Sequence, residues 1–185
     1  MKEKEKEIKV LKVDFEDVER KLINAGAKLI KDERQTNWIF SVDALKIQEG
    51  EKGYLRLRST YSLITQETNH EFTLKMKESD QEIRVYEELT TMIADPQALL
   101  GIMQLIDHPV QYRGEKSRKS YEWKGINFEM DQWDANTYPT PYLEIEVQSE
   151  ADLDRALDLL GLTRSDTTTK SISDLREEWR QEHVN

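Results

Sequence analysis

The chain has 185 residues, the length of one domain, and shows no internal repeat or linker-rich stretch, so a single domain over 1–185 is expected. Its net charge of −10 makes the surface repel nucleic-acid backbones and anionic membranes, which removes both as favoured partners. There is no cysteine for a disulfide or thiolate centre, no apolar signal core in MKEKEKEIKV, and no apolar run near the ~20 residues of a membrane span, so a cytoplasmic protein is expected.

Period-2 alternation, the mark of strands, dominates the chain. Residues 3–11 place Glu3, Glu5, Glu7 and Lys9 on one face and Ile8 and Val10 on the other. Asp14 can cap a helix whose Phe15, Val18, Leu22 and Ile23 form an apolar stripe ending near Gly26. Residues 34–42 read as a strand, and YLRLR at 54–58 sets Arg56 and Arg58 against Leu55 and Leu57. Residues 71–77 set Phe72, Leu74 and Met76 against Thr73, Lys75 and Lys77, and residues 82–89 set Arg84 against Ile83 and Val85. Asp95-Pro96 opens a second helix with Leu99, Ile102, Met103 and Ile106 on one side. A long polar strand over 111–124 carries Lys116 and Arg118, with Tyr121 and Trp123 on the other parity, under a helix or at a dimer face. Residues 126–131 set Glu129 and Asp131 against Ile126, Phe128 and Met130. Residues 142–148 set Glu144 and Glu146 against Leu143, Ile145 and Val147. Ser149 with Asp152 resembles a capping box before Leu153, Ala156, Leu157 and Leu160, and Gly161 can close that helix. A last helix starts near Ser171 or Ser173 and runs toward Trp179. Eight strands, mostly neighbouring other strands, and four helices predict an α+β fold with a large antiparallel sheet.

The polar parity of these strands carries like-charged pairs at i, i+2: Glu5 and Glu7, Arg56 and Arg58, Lys75 and Lys77, Lys116 and Arg118, Glu129 and Asp131, Glu144 and Glu146. Both members project from one face about 6–7 Å apart and repel unless opposite charge sits between them. A solvated face explains any single strand; six such pairs in one chain point instead to a shared cavity. If the sheet closes with this parity inward, the cavity holds a polyanion on its basic wall and a hard cation on its acidic wall. Mg²⁺ or Mn²⁺ suits carboxylates and phosphate oxygens, whereas the scattered His70, His108 and His183 and the lack of Cys argue against zinc.

In order along the chain stand EKEIK at 5–9, QTNWIF at 35–40, GYLRLR at 53–58, FTLKMK at 72–77, RVYE at 84–87, Lys116 and Arg118 before FEMD at 128–131, YLEIE at 142–146 and KSISDL at 170–175. The set resembles the CYTH superfamily, the triphosphate tunnel metalloenzymes, over roughly 3–178. This resemblance implies a closed antiparallel eight-stranded β-barrel with flanking helices. It implies divalent-metal binding by Glu5, Glu7, Asp131, Glu144 and Glu146. It also implies triphosphate contacts from Lys9, Arg56, Arg58, Lys75, Lys77, Arg84, Lys116, Arg118 and Lys170, and a catalytic part for Glu5, Glu7 and Lys9. NTYPTP at 136–141 and Ile172 depart from the family pattern at a loop and near the last helix.

Such a tunnel would serve a metal-dependent triphosphatase acting on inorganic tripolyphosphate, thiamine triphosphate or a nucleoside triphosphate. The same scaffold serves a class IV adenylyl cyclase making cyclic AMP, for which Asn37, Trp38, Trp133 and Tyr138 offer stacking surfaces unless they are core or rim. A non-catalytic polyphosphate-binding module and an interaction protein with an open charged sheet are the further alternatives.

Overall fold

The computed structural model describes residues 2–40, 52–80 and 83–183; the side chains of residues 2–5, 52, 77–80 and 84 lie outside the described ones. The elements run β1 (Lys2–Leu11), α1 (Phe15–Asn24), β2 (Lys28–Phe40), β3 (Lys52–Ser62), β4 (Thr68–Asp80), β5 (Arg84–Met92), α2 (Pro96–Leu105), β6 (Val110–Trp123), β7 (Ile126–Trp133), β8 (Tyr142–Glu146), α3 (Glu150–Leu160), β9 (Thr167–Thr168) and α4 (Ile172–His183). Hydrogen-bonded order is β5-β4-β3-β2-β6-β7-β8-β1-β9, and pairing of β5 with β1 closes eight of these strands into an antiparallel barrel. Closure comes from the length of β1, whose residues 2–7 pair with β5 and residues 7–11 with β8. The short β9 joins β1 at Lys9 and Val10.

Register shows which parity is inside. Lys9 lies opposite Glu144, Glu144 opposite Glu129, and Glu129 opposite Ser120. Lys116 lies opposite Gln35, Asn37 opposite Arg58, and Lys75 opposite Glu88. Opposed residues share a face, so the charged parity of β1 to β8 is the interior of the barrel. The apolar parity is the exterior, and it becomes core because helices lie on it. Ile8, Val10, Phe128, Met130, Leu143 and Ile145 pack with Val18 and Leu22 of α1 and with Leu153, Ala156, Leu157 and Leu160 of α3. Phe40 and Leu57 pack with Met103 of α2. Tyr121 and Trp123 sit under α1, where they donate to Glu19 and to the Ala25 carbonyl.

Local chemistry sets the helix ends. Asp14 accepts from the amides of Glu16 and Asp17, and Asp95 from those of Gln97 and Ala98, just before Pro96. Ser149 and Asp152 form a reciprocal capping box, and Gly161 ends α3 at φ +69°, a left-handed cap that favours glycine.

The structure corrects several expectations. β2 begins at Lys28 rather than 34, because a bulge between Leu29 and Lys31 reverses the alternation there. β5 extends to Met92 and β8 stops at Glu146, while residues 41, 42 and 82 of the expected strands lie outside the described residues. Ile23, Ile102 and Ile106 are exposed, so α1 buries Val18 and Leu22, and α2 turns Leu99, Leu100 and Met103 to the barrel. α4 continues past Trp179 to His183. Among the described residues no helix is long and apolar enough to cross a membrane.

Candidate functional site: a charged barrel interior

A continuous band of ion pairs crosses the interior. Lys75 of β4 bonds Glu88 of β5 at 2.6 Å and approaches Glu7 of β1 at 3.5 Å. Lys9 bridges Glu7 at 3.2 Å and Glu144 of β8 at 2.6 Å. Arg118 of β6 reaches Glu144 at 3.1 Å and pairs with Glu129 of β7. It also grips Asp131 with Nε at 2.7 Å and Nη2 at 2.6 Å, the planar fork that suits arginine to a carboxylate. Lys116 adds a third contact to Asp131 at 2.7 Å. Glu7, Lys9, Lys75, Lys116, Arg118, Asp131 and Glu144 are all buried. Ordinary folding offers no return for so many desolvated charges, since each ion costs several kcal/mol to remove from water.

The field inside is uneven. Burial alone would raise the Glu144 and Asp131 carboxyls, but Lys9 and Arg118 hold Glu144 well below the usual range, and Arg118 and Lys116 hold Asp131 down. Burial works against the Arg118 charge, yet Asp131, Glu129 and Glu144 outweigh it and raise its pKa. Lys116 is pushed down to about 8 by burial and then by Arg118. Arg58 is pushed down to about 10 by burial, then Arg56 and Arg118. On the β3–β6 side of the tunnel burial and neighbouring cations together work against the Lys116 and Arg58 charges, and a bound anion would favour both.

The sequence-derived residues divide as follows. Glu7, Lys9, Lys75, Lys116, Arg118, Asp131 and Glu144 meet in the band. Arg56, Arg58 and Glu146 share its face, with Arg58 Nε donating to Asn37 at 3.1 Å and Asn127 donating to Glu146 at 3.1 Å. The side chains of Glu5, Lys77 and Arg84 lie outside the described residues, although strand pairing sets Glu5 opposite Tyr86 and Arg84 opposite Glu7. Lys170 is half-exposed before α4, with its ammonium on Glu178 at 2.7 Å.

Other interior residues escaped the sequence reading. Lys31 reaches Glu129 at 3.2 Å, and the ring of Tyr86 lies 4.3 Å from the Lys75 ammonium. Their signal existed only in partnership: alternation tells the face of a residue but not its neighbour across a barrel. Of the proposed stacking residues, Trp133 faces inward beneath Lys116, while Trp38 faces outward beside Leu57. Trp133 Nε1 donates to the Tyr142 hydroxyl at 3.0 Å, which donates to Asp131 at 2.9 Å. Leu11, Trp133 and Tyr142, all of inward parity, pack with Tyr138 and with Ile172, Leu175 and Trp179, so α4 lies across this end of the barrel. Arg176 adds a contact 4.5 Å over the inward Tyr112 ring.

The acidic side fits a hard divalent cation by its chemistry. Glu7 stands directly opposite Glu146 and diagonal to Glu144, an all-oxygen set. The Lys9 ammonium between Glu7 and Glu144 shows that these carboxylates close on a cation. Among the described side chains no three carboxylates or histidines converge as a finished cage, and Asp131 spends its oxygens on Arg118, Lys116 and Tyr142.

The family model for the CYTH domain matches residues 3–176, and the chain belongs to that family. The PH1012 protein of Pyrococcus horikoshii is 26% identical, with a TM-score of 0.70 over 92% of this chain and 99% of its own. A Vibrio parahaemolyticus protein described as a candidate adenylate cyclase shares the fold at 14% identity, with a TM-score of 0.69 over 94% of this chain and 97% of its own. So does the candidate adenylyl cyclase HpAC1 of Hippeastrum, said to have a dominant triphosphatase activity, at 16% identity and a TM-score of 0.64 over 94% and 96% of the two chains. No curated protein matches the chain.

Proposed function

We propose that this protein is a metal-dependent triphosphatase whose substrate lies inside the barrel. The observation that carries the reading is the gathering of Arg58, Lys116 and Arg118, where burial first and then the neighbouring cations lower the Lys116 and Arg58 pKa values, in one closed interior that also holds the carboxylates Glu7, Glu144 and Glu146. A polyphosphate favours both charges. Arg56, Arg58, Lys75, Lys116 and Arg118 bind its oxygens and hold the chain in line, so catalysis is positioning plus electrostatic stabilisation. Asp131 serves by anchoring Arg118 and Lys116. A bound Mg²⁺ or Mn²⁺, held by Glu5, Glu7, Glu144 and Glu146, would supply neutralisation of charge on the phosphate oxygens. Glu7 orients the attacking water and takes its proton as the new P–O bond forms and the bridging P–O bond breaks. Lys9 holds Glu7 and Glu144 in place. The Hippeastrum relative supports the reading by analogy of fold.

The test is an assay of phosphate, pyrophosphate and cyclic AMP from tripolyphosphate and from ATP, with Mg²⁺, Mn²⁺ or EDTA. Metal-dependent phosphate release that is lost in folded Glu144→Gln protein is the expected result. Cyclic AMP with pyrophosphate would replace the triphosphatase by a cyclase, and no turnover would contradict both.

A further inference from the structure

Two buried amides on β2 lie outside the ion-pair band and have fixed orientations. Asn37 is 1% exposed and Gln35 4% exposed, and both face the interior. Arg58 Nε donates to Asn37 Oδ1 at 3.1 Å, which turns Nδ2 away as a donor with no hydrogen-bond partner among the described residues. Gln35 Nε2 donates to Glu33 Oε2 at 2.8 Å, which turns Oε1 away as an acceptor with no partner among the described residues. Neighbours on either side therefore settle which end of each amide is presented.

The two orphaned atoms ask for different things. Asn37 Nδ2 stands with Arg58 and with Arg56, whose buried Nε also lacks a partner among the described residues, so this stretch of wall turns several donors inward, with the Glu71 carboxylate beside them opposite Arg58. Phosphate oxygens suit it. Gln35 Oε1 is the reverse: it lies opposite Lys116, whose ammonium is turned to Asp131 and Trp133, and next to the Glu33 carboxylate. An ionised polyphosphate has acceptors alone and would meet Gln35 and Glu33 acceptor against acceptor. A buried acceptor is matched by an O–H, an N–H or a cation, and the carboxylates Glu7, Glu144 and Glu146 that suit a cation stand on β1 and β8, neither of which neighbours β2, which leaves an O–H or N–H for Gln35.

We propose that Gln35 and Asn37 form a direction-reading subsite whose ligand is an organic triphosphate. Its phosphates lie on Asn37, Arg56 and Arg58, and a hydroxyl or amine carried by the esterified group donates to Gln35 Oε1. The proposal rests on the triphosphate reading above and narrows it: inorganic tripolyphosphate, lacking the donor, is the poorer ligand. A site built to accept a substrate's O–H or N–H discriminates strongly against analogues without it.

The experiment is isothermal titration, with Mg²⁺, of the β,γ-methylene analogue of ATP and the methylene analogue of inorganic tripolyphosphate into wild-type and Gln35→Met protein. The expected result is about tenfold weaker binding of the nucleotide to Gln35→Met, the value of one hydrogen bond to a buried group, with the inorganic analogue unchanged. Wild-type protein titrated with 2′-deoxy, 3′-deoxy and inosine forms keeps the test independent of the variant's folding. Weakening by a deoxy form assigns the donor to a hydroxyl, and weakening by the inosine form assigns it to the exocyclic amine. Equal loss for both analogues in Gln35→Met, or no loss across either series, overturns the subsite while leaving the triphosphate reading intact. Failure of wild-type protein to bind any of these ligands overturns both.

Discussion

At the scale of single residues, the interior is stable only as a set. Asp131 is fully buried and neutralises Arg118 and Lys116 together, while Arg118 also serves Glu129 and Glu144. Removing one member of a buried pair typically costs about 3–5 kcal/mol, because its partner stays behind uncompensated. Asp131→Asn should therefore lose at least about 3 kcal/mol in urea unfolding, although asparagine fills the same space. Lys116 gives a pH signature. Its folded pKa of about 8 lies below the ordinary lysine value of 10.5, so between those values the unfolded chain holds a proton that the folded protein has released. Stability contributed by this group falls as pH drops from 10.5 to 8 and rises as pH climbs. Wild-type protein should gain unfolding free energy relative to Lys116→Met between pH 8 and pH 10, and a constant difference would show that Lys116 keeps its proton in the folded protein as it does in the unfolded chain. The i, i+2 pairs were legible in the sequence because period-2 alternation needs no tertiary knowledge. The relay from Trp133 through Tyr142 to Asp131 was not, since it joins residues whose proximity exists only after β7 and β8 pair.

At the scale of elements, caps and parity were readable and bulges were not. Asp14, Asp95, Ser149 and Gly161 act through bonds within a few residues of themselves, so their signals are local. Ser149→Ala should cost about 1 kcal/mol, measurable by denaturant unfolding. The bulge between Leu29 and Lys31 puts two residues of the same sequence parity on opposite faces, and for that reason alternation places the strand at 34–42 and misses its start at Lys28. The exposure of Ile102 and Ile106 was likewise hidden, because an apolar helix stripe does not say how much of it a curved barrel can cover. Tyr112, which meets Arg176 of α4, closes tightly on Gly114, where an added Cβ would lie 2.4 Å from the Tyr112 hydroxyl and 2.6 Å from Thr137 Oγ1. Gly114→Ala must displace the Tyr112 ring that stacks with Arg176, and Thr137 is buried. Proteolysis at α4 should then be faster in Gly114→Ala than in wild type; an unchanged rate would show that Tyr112 moves without disturbing the helix.

At the scale of the whole molecule, an acidic protein keeps a cluster of cations on one side of its lining by closing its sheet. The net charge of −10 and the crowding around Lys116 and Arg58 coexist because strand parity sorts charge by face and the barrel gives that face an inside. Closure itself was expected from the family resemblance rather than from composition, since it rests on β1 pairing with both β5 and β8. If the lining is a triphosphate site, a ligand that binds only the folded state raises stability by about 2.7 kcal/mol at a hundred times its Kd. The most direct measurement is thermal unfolding with and without a triphosphate, in wild-type and Arg58→Met protein, with Mg²⁺ present. Wild-type Tm should rise, by an amount that grows with triphosphate concentration, and the rise should be largely lost in Arg58→Met. An unchanged Tm at millimolar triphosphate, or the same rise in both proteins, would contradict the claim that this interior is built to hold one.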